Sequence, residues 1–547
     1  MKKENLNFNE TLNYPSKNHR ELAKMPISVP RDILIGNFDA IKGKKVIPKN
    51  FSFSLYFTAF DIRDYGNRID SFIRMYENIT FKKIYLEVYR DGYTADPNLV
   101  LYAKDTLEEA GFQVAGAVTT THFSDRAKYN ETVSAAGCYS DKRANEKMAE
   151  VFSATAEMFN EIIIDDWFFT VCHCYECTKS RHNATWQAHR VEIMANVAKK
   201  FIVEPAKAAN PNVKLVIKFP QWFENWADGG YDMKKLVPLF DEIAVGVETR
   251  NPLLGRYMPT AGGMLFRYMK EAAGVKVKRA WYDAYMSDAK IFSEQAYQAV
   301  LSGATEVILF CAGYLPLEKV RNLTEQLIKD TESIDKAALS AKLLVVPVIR
   351  KVGARGENKL PQYLLMAGVP VYLTDKRSLT SKIVIMTEQS AMKKEYNLLM
   401  KEMLDLKKEI VITPGFAVNA GKYLEVEKLA QPVMIKEIKM KSKVFKIKEK
   451  LFMEYTLIPA KNVQVVVWAE GIPLLSRMVV EKRTVWFLNL PMSKETLKDQ
   501  MGMQIQSDYR NLLRLPEPVL EAVRAVFKPY AEVGKYAKIK MLHKHII

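Results

Sequence analysis

Carboxylates stand directly behind several short apolar runs of this sequence. Ile162-Ile163-Ile164 leads into Asp165-Asp166-Trp167, Ile243-Ala244-Val245-Gly246-Val247 into Glu248-Thr249-Arg250, and Trp281-Tyr282 into Asp283. A fourth run carries Glu87 ahead of Asp91, and a fifth ends Lys218-Phe219-Pro220-Gln221-Trp222. Two carboxyls held close together, one ionised and one protonated, can break a glycosidic bond. Each acid taken singly can equally be a helix cap or half of an ion pair. Because side chains alternate across a strand, only one of Asp165 and Asp166 is expected to face such a site, and the later one, Asp166, is favoured.

Aromatic residues gather at the same run ends: Trp167, Trp222, Trp226 and Trp281, with Tyr89, Tyr93, Tyr282 and Tyr285. Rings beside acids and amides suit a ligand with C–H faces to stack and hydroxyls to bond, as a pyranose has, although such rings also serve as packing. Lys218 opens a second chemistry. A lysine desolvated at a strand end can form a Schiff base, which would make the protein an aldolase or lyase. Opposing carboxylates, with Asp166 or Glu248 as the ion partner, would instead keep it protonated.

Cys172, Cys174 and Cys177 form a C-x-C-x2-C run. With Cys138, His173 or His182 as a fourth ligand they can hold a structural zinc, and otherwise they are free thiols packing a loop. No cofactor is expected to be required by the chemistry itself.

The elements that must position these groups repeat about every 35 residues, each a β-rich run followed by a helical stretch. The strands are read at 51–60, 82–90, 113–121, 161–168, 213–220, 242–249, 276–283 and 306–312, with helices such as 97–110, 142–159, 184–208 and 289–302 between them. Eight βα units of this size predict a (β/α)8 TIM barrel, whose active site lies at the C-terminal strand ends. The alternative, an open doubly wound sheet, lacks a glycine fingerprint after the first strand. Past residue 340 the pattern changes: strands at 369–374, 382–387 and 409–413 with a helix at 388–406, then β-like runs at 433–448, 463–468 and 484–490. The expected organisation is an N-terminal extension (1–50), the barrel (51–340), a smaller α/β domain (341–425) and a β-rich C-terminal domain (426–547).

The composition is that of a globular chain: 547 residues, 48% hydrophobic and 26% charged, which excludes disorder and a disulfide-stapled miniprotein. No apolar stretch approaches the length of a membrane span. Five cysteines, three of them within six residues, do not form a disulfide framework and suggest reduced thiols. A cytoplasmic location is therefore expected, or export with a signal peptide that this sequence lacks. The net charge of +17 falls largely in the C-terminal part, as in KEIKMKSKVFKIKEK, while the candidate site is acidic. Such a distribution argues against nucleic acid as the partner and leaves room for an anionic glycan.

Taken together, IIIDDWFFTVCHCYEC, IKFPQWFENW and GVETRN resemble a group of (β/α)8 glycoside hydrolases whose strand four ends in a DD-aromatic motif and strand six in ETR. The segments MAGVPVYL, KIVIMTEQSA, EIVITPGF and NLLRLPEPVLEAVRAVF are similar to the glutamine-amidotransferase-like (flavodoxin-like) accessory domain and β-rich end of family 42 β-galactosidases. With no cysteine after Cys311, that accessory domain should be catalytically dead. The barrel departs from family 42 at strand four, which ends in Asp165-Asp166, and at strand seven, which ends in Asp283. It is more similar to α-retaining barrels of the α-galactosidase group. The resemblance implies Asp166 as nucleophile and Glu248 as acid/base in a retaining hydrolysis. Asp165, Asp283 and Arg250 then bind a carbohydrate substrate, joined by Glu87, Lys218, Trp222 and Trp281 at the strand ends. It also implies a homo-oligomer. A catalytically inactive carbohydrate-binding protein is the remaining alternative.

Overall fold

The computed structural model describes residues 40–531 and Leu542, apart from 125–135, 250–258, 285–286, 314–317, 355, 358, 378, 424, 458–461, 492–496, 499–503 and 506–513. Arg250, Tyr285 and most of the N-terminal extension lie outside the described residues. The chain divides into two units, residues 1–339 with 543–547 and residues 340–542.

In the first unit, eight strands form one parallel sheet: β1 (Ser52–Phe57), β2 (Phe81–Arg90), β3 (Gln113–Val118), β4 (Glu161–Ile164), β5 (Lys214–Phe219), β6 (Glu242–Gly246), β7 (Val277–Asp283) and β8 (Glu306–Phe310). Each pairs with the next in sequence, and β1 pairs with both β2 and β8, closing the ring. The helices between them include α1 (Ala59–Tyr65), α2 (Pro97–Glu109), α3 (Lys142–Met158), α4 (Tyr175–Arg181), α5 (Trp186–Val197), α6 (Pro259–Ala273), α7 (Ala289–Leu301) and α8 (Glu318–Ala337). Their starts are written locally. Thr58, Asp96, Asp141, Thr185 and Asp288 each accept a first-turn backbone N–H, a cap contributing about 1 kcal/mol.

Period-2 alternation stacks the interior in layers. The middle layer takes buried side chains from all eight strands: Tyr56, Tyr85, Ala115 and Ala117, Ile163, Val216, Ala244, Trp281 and Ile308. Alanines on β3 and β6 leave room for Trp281 and the two tyrosines, so large and small residues interdigitate. Two residues earlier on the strands lies an ionic layer. The Arg279 guanidinium reaches Glu161 at 2.9 Å, Glu306 at 2.9 Å and also Glu242, and Lys83 reaches Glu161 at 2.7 Å. Two residues later lies the mouth.

The second unit is built on a nine-stranded mixed sheet. Its strands are β9 (Val346–Ile349), β10 (Val371–Thr374), β11 (Ile383–Met386), β12 (Glu409–Ile412), β13 (Val426–Met440), β14 (Lys443–Leu457), β15 (Gln464–Ala469), β16 (Ile472–Val480) and β17 (Arg483–Leu488), in the order β10-β9-β11-β12-β17-β16-β15-β13-β14. The segments expected as separate domains on either side of residue 425 share this sheet, because β12 pairs in parallel with β17, Ile410 opposite Val485. Two strands of this sheet lie where none was expected, β9 and β16. The run read as a single strand over 433–448 instead contains a reversal at Lys441-Ser442, so that β13 pairs antiparallel with β14. Lys441 sits at φ +52 there, a left-handed turn carried by lysine without the Asn-Gly punctuation that would mark it. No helix among the described residues is long and apolar enough to cross a membrane.

Candidate active site

The inward register of the barrel continues past the strands into the mouth. Lys83-x-Tyr85-x-Glu87 on β2, Glu161-x-Ile163-x-Asp165 on β4, Glu242-x-Ala244-x-Gly246-x-Glu248 on β6 and Arg279-x-Trp281-x-Asp283 on β7 each place a charge at the floor and an acid at the top. β5 contributes Lys218. Its Nζ lies 2.6 Å from Glu248 Oε1, 3.0 Å from Asp166 Oδ2 and 3.3 Å from Asp165 Oδ1. Three carboxylates thus converge on one ammonium, which stands 4.3 Å from the centre of the Trp281 ring.

Asp165 and Asp166 both reach Lys218, which corrects the expectation that only one of them could. Alternation makes Asp165 the inward residue, but β4 ends at Ile164 and the chain turns, bringing Asp166 back over the mouth. Asp165 Oδ1 accepts from the Asp166 N–H at 2.8 Å, closing that turn. The Asp165 side chain is 4% exposed and the Asp166 side chain 15%.

Arg90, the last residue of β2, locks the wall beside Asp165. Its Nε donates to Glu87 Oε2 at 2.8 Å, and its Nη2 to Asp165 Oδ2 at 3.0 Å and Thr119 Oγ1 at 2.9 Å. Glu87 also accepts from Tyr56 Oη at 2.5 Å, the Ala59 N–H at 2.8 Å and Thr119. With no exposed surface, Glu87 braces Arg90 and the start of α1.

Burial opposes ionisation of Asp165, but Lys218 and Arg90 outweigh it and hold the carboxyl below the usual carboxylate range. Asp166 goes the other way. Burial pushes it well up, Lys218 only partly offsets this, and Asp165 and Glu248 add to the rise. Burial would lower the Lys218 pKa, yet Asp166, Glu248 and Asp165 together raise it, so the amine stays protonated.

Trp281 is buried within the barrel, 1% exposed. Trp222 is 6% exposed, its ring 5.6 Å from Phe169 and 5.7 Å from Tyr231. Asp283 ends β7 and is largely buried. The half-buried Trp167, next to Asp166, is the tryptophan of the β4 turn nearest solvent. Arg90, Thr119, Tyr56 and Tyr231, whose hydroxyl donates to the Asp166 and Lys218 carbonyls at 3.3 Å, are site residues not anticipated from the sequence.

Behind the β4 turn, the Sγ atoms of Cys138, Cys172, Cys174 and Cys177 all lie within 4.8 Å of one another, buried beneath Trp186. Of the three fourth ligands considered, the structure brings in Cys138, while His173 and His182 are exposed.

Residues 42–343 match the family model described as "Probable glycosyl hydrolase, catalytic domain". An uncharacterized protein of Saccharolobus solfataricus is 27% identical over 418 residues, 69% of this chain and 68% of that one. Among solved structures, an exo-carrageenase of family GH42 from Bacteroides ovatus is similar with a TM-score of 0.43 and 10% identity, covering 84% of this chain and 85% of that one. A class V chitinase from Pseudomonas fluorescens is similar with a TM-score of 0.33 and 13% identity, covering 51% of this chain and 100% of that one. Since the family match spans more than half of the chain and covers the whole closed barrel, this protein belongs to that glycosyl hydrolase family.

Proposed function

We propose that the barrel hydrolyses an O-glycosidic bond with Asp166 and Glu248 as its working pair. The observation carrying this reading is the convergence of Asp165, Asp166 and Glu248 on Lys218 at the C-terminal mouth of a glycosyl hydrolase barrel. The nearest oxygens of the pair share one Nζ at 3.0 and 2.6 Å, so they can be no farther apart than those two distances end to end. That limit favours retention, for which carboxyl separations are about 5–5.5 Å, over inversion at about 6.5–9.5 Å.

Local electrostatics favour exchanging the roles that the resemblance implies. Asp166 is the more exposed of the pair, and burial with its two acidic neighbours pushes its carboxyl toward the neutral form, which suits a general acid. Glu248, 2.6 Å from the ammonium, suits the charged nucleophile. Asp165, fixed by Arg90 and Lys218, keeps both cations in place, and Trp167 offers a ring face to the sugar. The three acids around Lys218 count against a Schiff-base lyase, which needs a neutral amine.

A screen of aryl glycosides and oligosaccharides identifies a competent substrate. On it, Glu248→Gln should lose several orders of magnitude with every leaving group. Asp166→Asn should lose as much on natural linkages yet recover on a dinitrophenyl glycoside, which needs no proton on departure. Full activity of either variant on a natural linkage removes the pair, and recovery by the Glu248 variant alone restores the roles implied by the resemblance.

The reading includes a structural zinc held by Cys138, Cys172, Cys174 and Cys177. Cys138 Sγ lies 3.7 Å from Cys174 Sγ and 3.8 Å from Cys177 Sγ. The edge of a tetrahedron with Zn–S bonds of about 2.3 Å is about 3.8 Å. Such a metal would tie the loop behind β4 to the start of α3 and take no part in bond cleavage. Metal analysis of the purified protein should find one zinc per chain, released by a mercurial; zinc well below stoichiometry counts against the site.

A further inference from the structure

One cleft in the second unit has no part in the hydrolytic site. It has a volume of about 480 Å³, and its lining includes Glu437, Lys439, Lys441, Gln464, Val466 and Trp468. Small-ligand sites span roughly 300–1,000 Å³. The cleft follows from strand alternation: Ile438 on β13 and Val467 and Ala469 on β15 are buried, which turns Lys439 and Trp468 to the other face, directly opposite one another in the ladder.

The acids here are taken. Glu437 Oε2 lies 3.0 Å from Lys446 Nζ, and Glu470 Oε1 accepts the N–H groups of Lys436 and Glu437 at 2.7 Å each. By contrast, the side chains of Lys439, Lys441 and Gln464 have no hydrogen-bond or ion partner among the described residues, and Trp468 is only half-buried. One ring face, one amide and two unpaired ammonium groups in a single concave surface match a sugar ring carrying a negative charge. The wider charge agrees. Residues 340–547 hold 36 Lys and Arg against 20 Asp and Glu, nearly the whole of the +17 excess.

We infer that this cleft is a second, non-catalytic binding site for an acidic saccharide, a uronate or a sulfate ester, with Trp468 as stacking platform and Lys439 and Lys441 as anion contacts. That the anion is a saccharide rests on the glycoside hydrolase reading. The binding test is independent of turnover.

Affinity electrophoresis through gels containing polygalacturonate, dextran sulfate or neutral dextran, with the full chain carrying Asp166→Asn, measures it. One or both polyanions should retard the protein and dextran should not; polygalacturonate alone marks a carboxylate, dextran sulfate alone a sulfate ester. Trp468→Ala and Lys439→Gln/Lys441→Gln should each weaken retardation about tenfold. Trp468→Phe should keep most of it, and Lys199→Gln/Lys200→Gln, at exposed positions on the first unit, all of it. Unchanged thermal transitions show that the variants fold. The site is overturned by absence of retardation, by equal retardation in dextran, by wild-type behaviour of Trp468→Ala, or by an equal loss in the Lys199/Lys200 control, which would mark attraction to net charge alone.

Discussion

Around the barrel mouth the carboxylates Glu87, Asp165, Asp166 and Glu248 outnumber the cations Arg90 and Lys218, and the neighbours Asp165 and Asp166 divide the consequence unequally. Asp165→Asn takes one partner from each buried cation, while Glu87 still faces Arg90 and Asp166 and Glu248 still face Lys218, which should cost about 1.5–3 kcal/mol at neutral pH. Because its folded pKa is depressed, the stability Asp165 supplies is present above its unfolded value, about pH 3.9, and fades as pH falls. The gap between wild type and this variant should therefore close in acid. For Asp166, whose folded pKa is raised, the sign reverses: ionisation is increasingly unfavourable to the fold as pH rises. Asp166→Asn should melt a few degrees above wild type at pH 8 and together with it near pH 4. Thermal melts across that range check both signs, and an Asp166→Asn variant less stable than wild type at pH 8 would refute the second. The acids and Lys218 were legible as strand-end charges. Arg90 was not, because one arginine ending KKIYLEVYR carries no sign of which acid it will face. Trp281 was legible as an aromatic near a strand end, but its place two residues before Asp283 puts it a layer below, under Lys218.

At the scale of elements, the barrel floor is as charged as its mouth. Arg279→Met should leave Glu161, Glu242 and Glu306 facing one another and cost about 3–5 kcal/mol in urea unfolding. The folded fraction should keep its kcat, since Trp281 and the rest of the middle layer separate floor from mouth. If a zinc holds the cysteine cluster, stripping it with a mercurial should release the loop, shift the emission of Trp186 packed against the cluster, and lower the melting temperature. The eight barrel strands could be read because parallel strands buried on both faces are continuous apolar runs. The ends at Arg90 and Asp283 were read in place and the other six too late: 161–168 stops at Ile164, since the acids that follow turn into the mouth. The second unit was harder. Its turns at Lys441 and Glu481-Lys482 place charged residues at positive φ, where glycine or asparagine would have signalled a hairpin. β9 contains Pro347, which reads as a break in a strand.

For the molecule as a whole, the charge is distributed between the units rather than spread. With 36 basic against 20 acidic residues in 340–547, the first 339 residues are left close to neutral, although the barrel mouth within them is acidic. A small neutral substrate carries no charge on which the lysines of the second unit's sheet could act. A polymeric acidic substrate does carry such charge, and the potential that holds it decays over about 8 Å at physiological ionic strength. Raising salt from 50 to 500 mM should therefore leave kcat/KM for a small neutral aryl glycoside nearly unchanged. For a polyanionic substrate it should raise KM several-fold with kcat constant, because the effect lies in encounter and holding rather than in bond cleavage. The same salt series on Lys439→Gln/Lys441→Gln should start at the higher KM and rise less. Equal salt sensitivity of the small and the polymeric substrate would place the effect at the barrel mouth and separate the basic sheet from substrate capture.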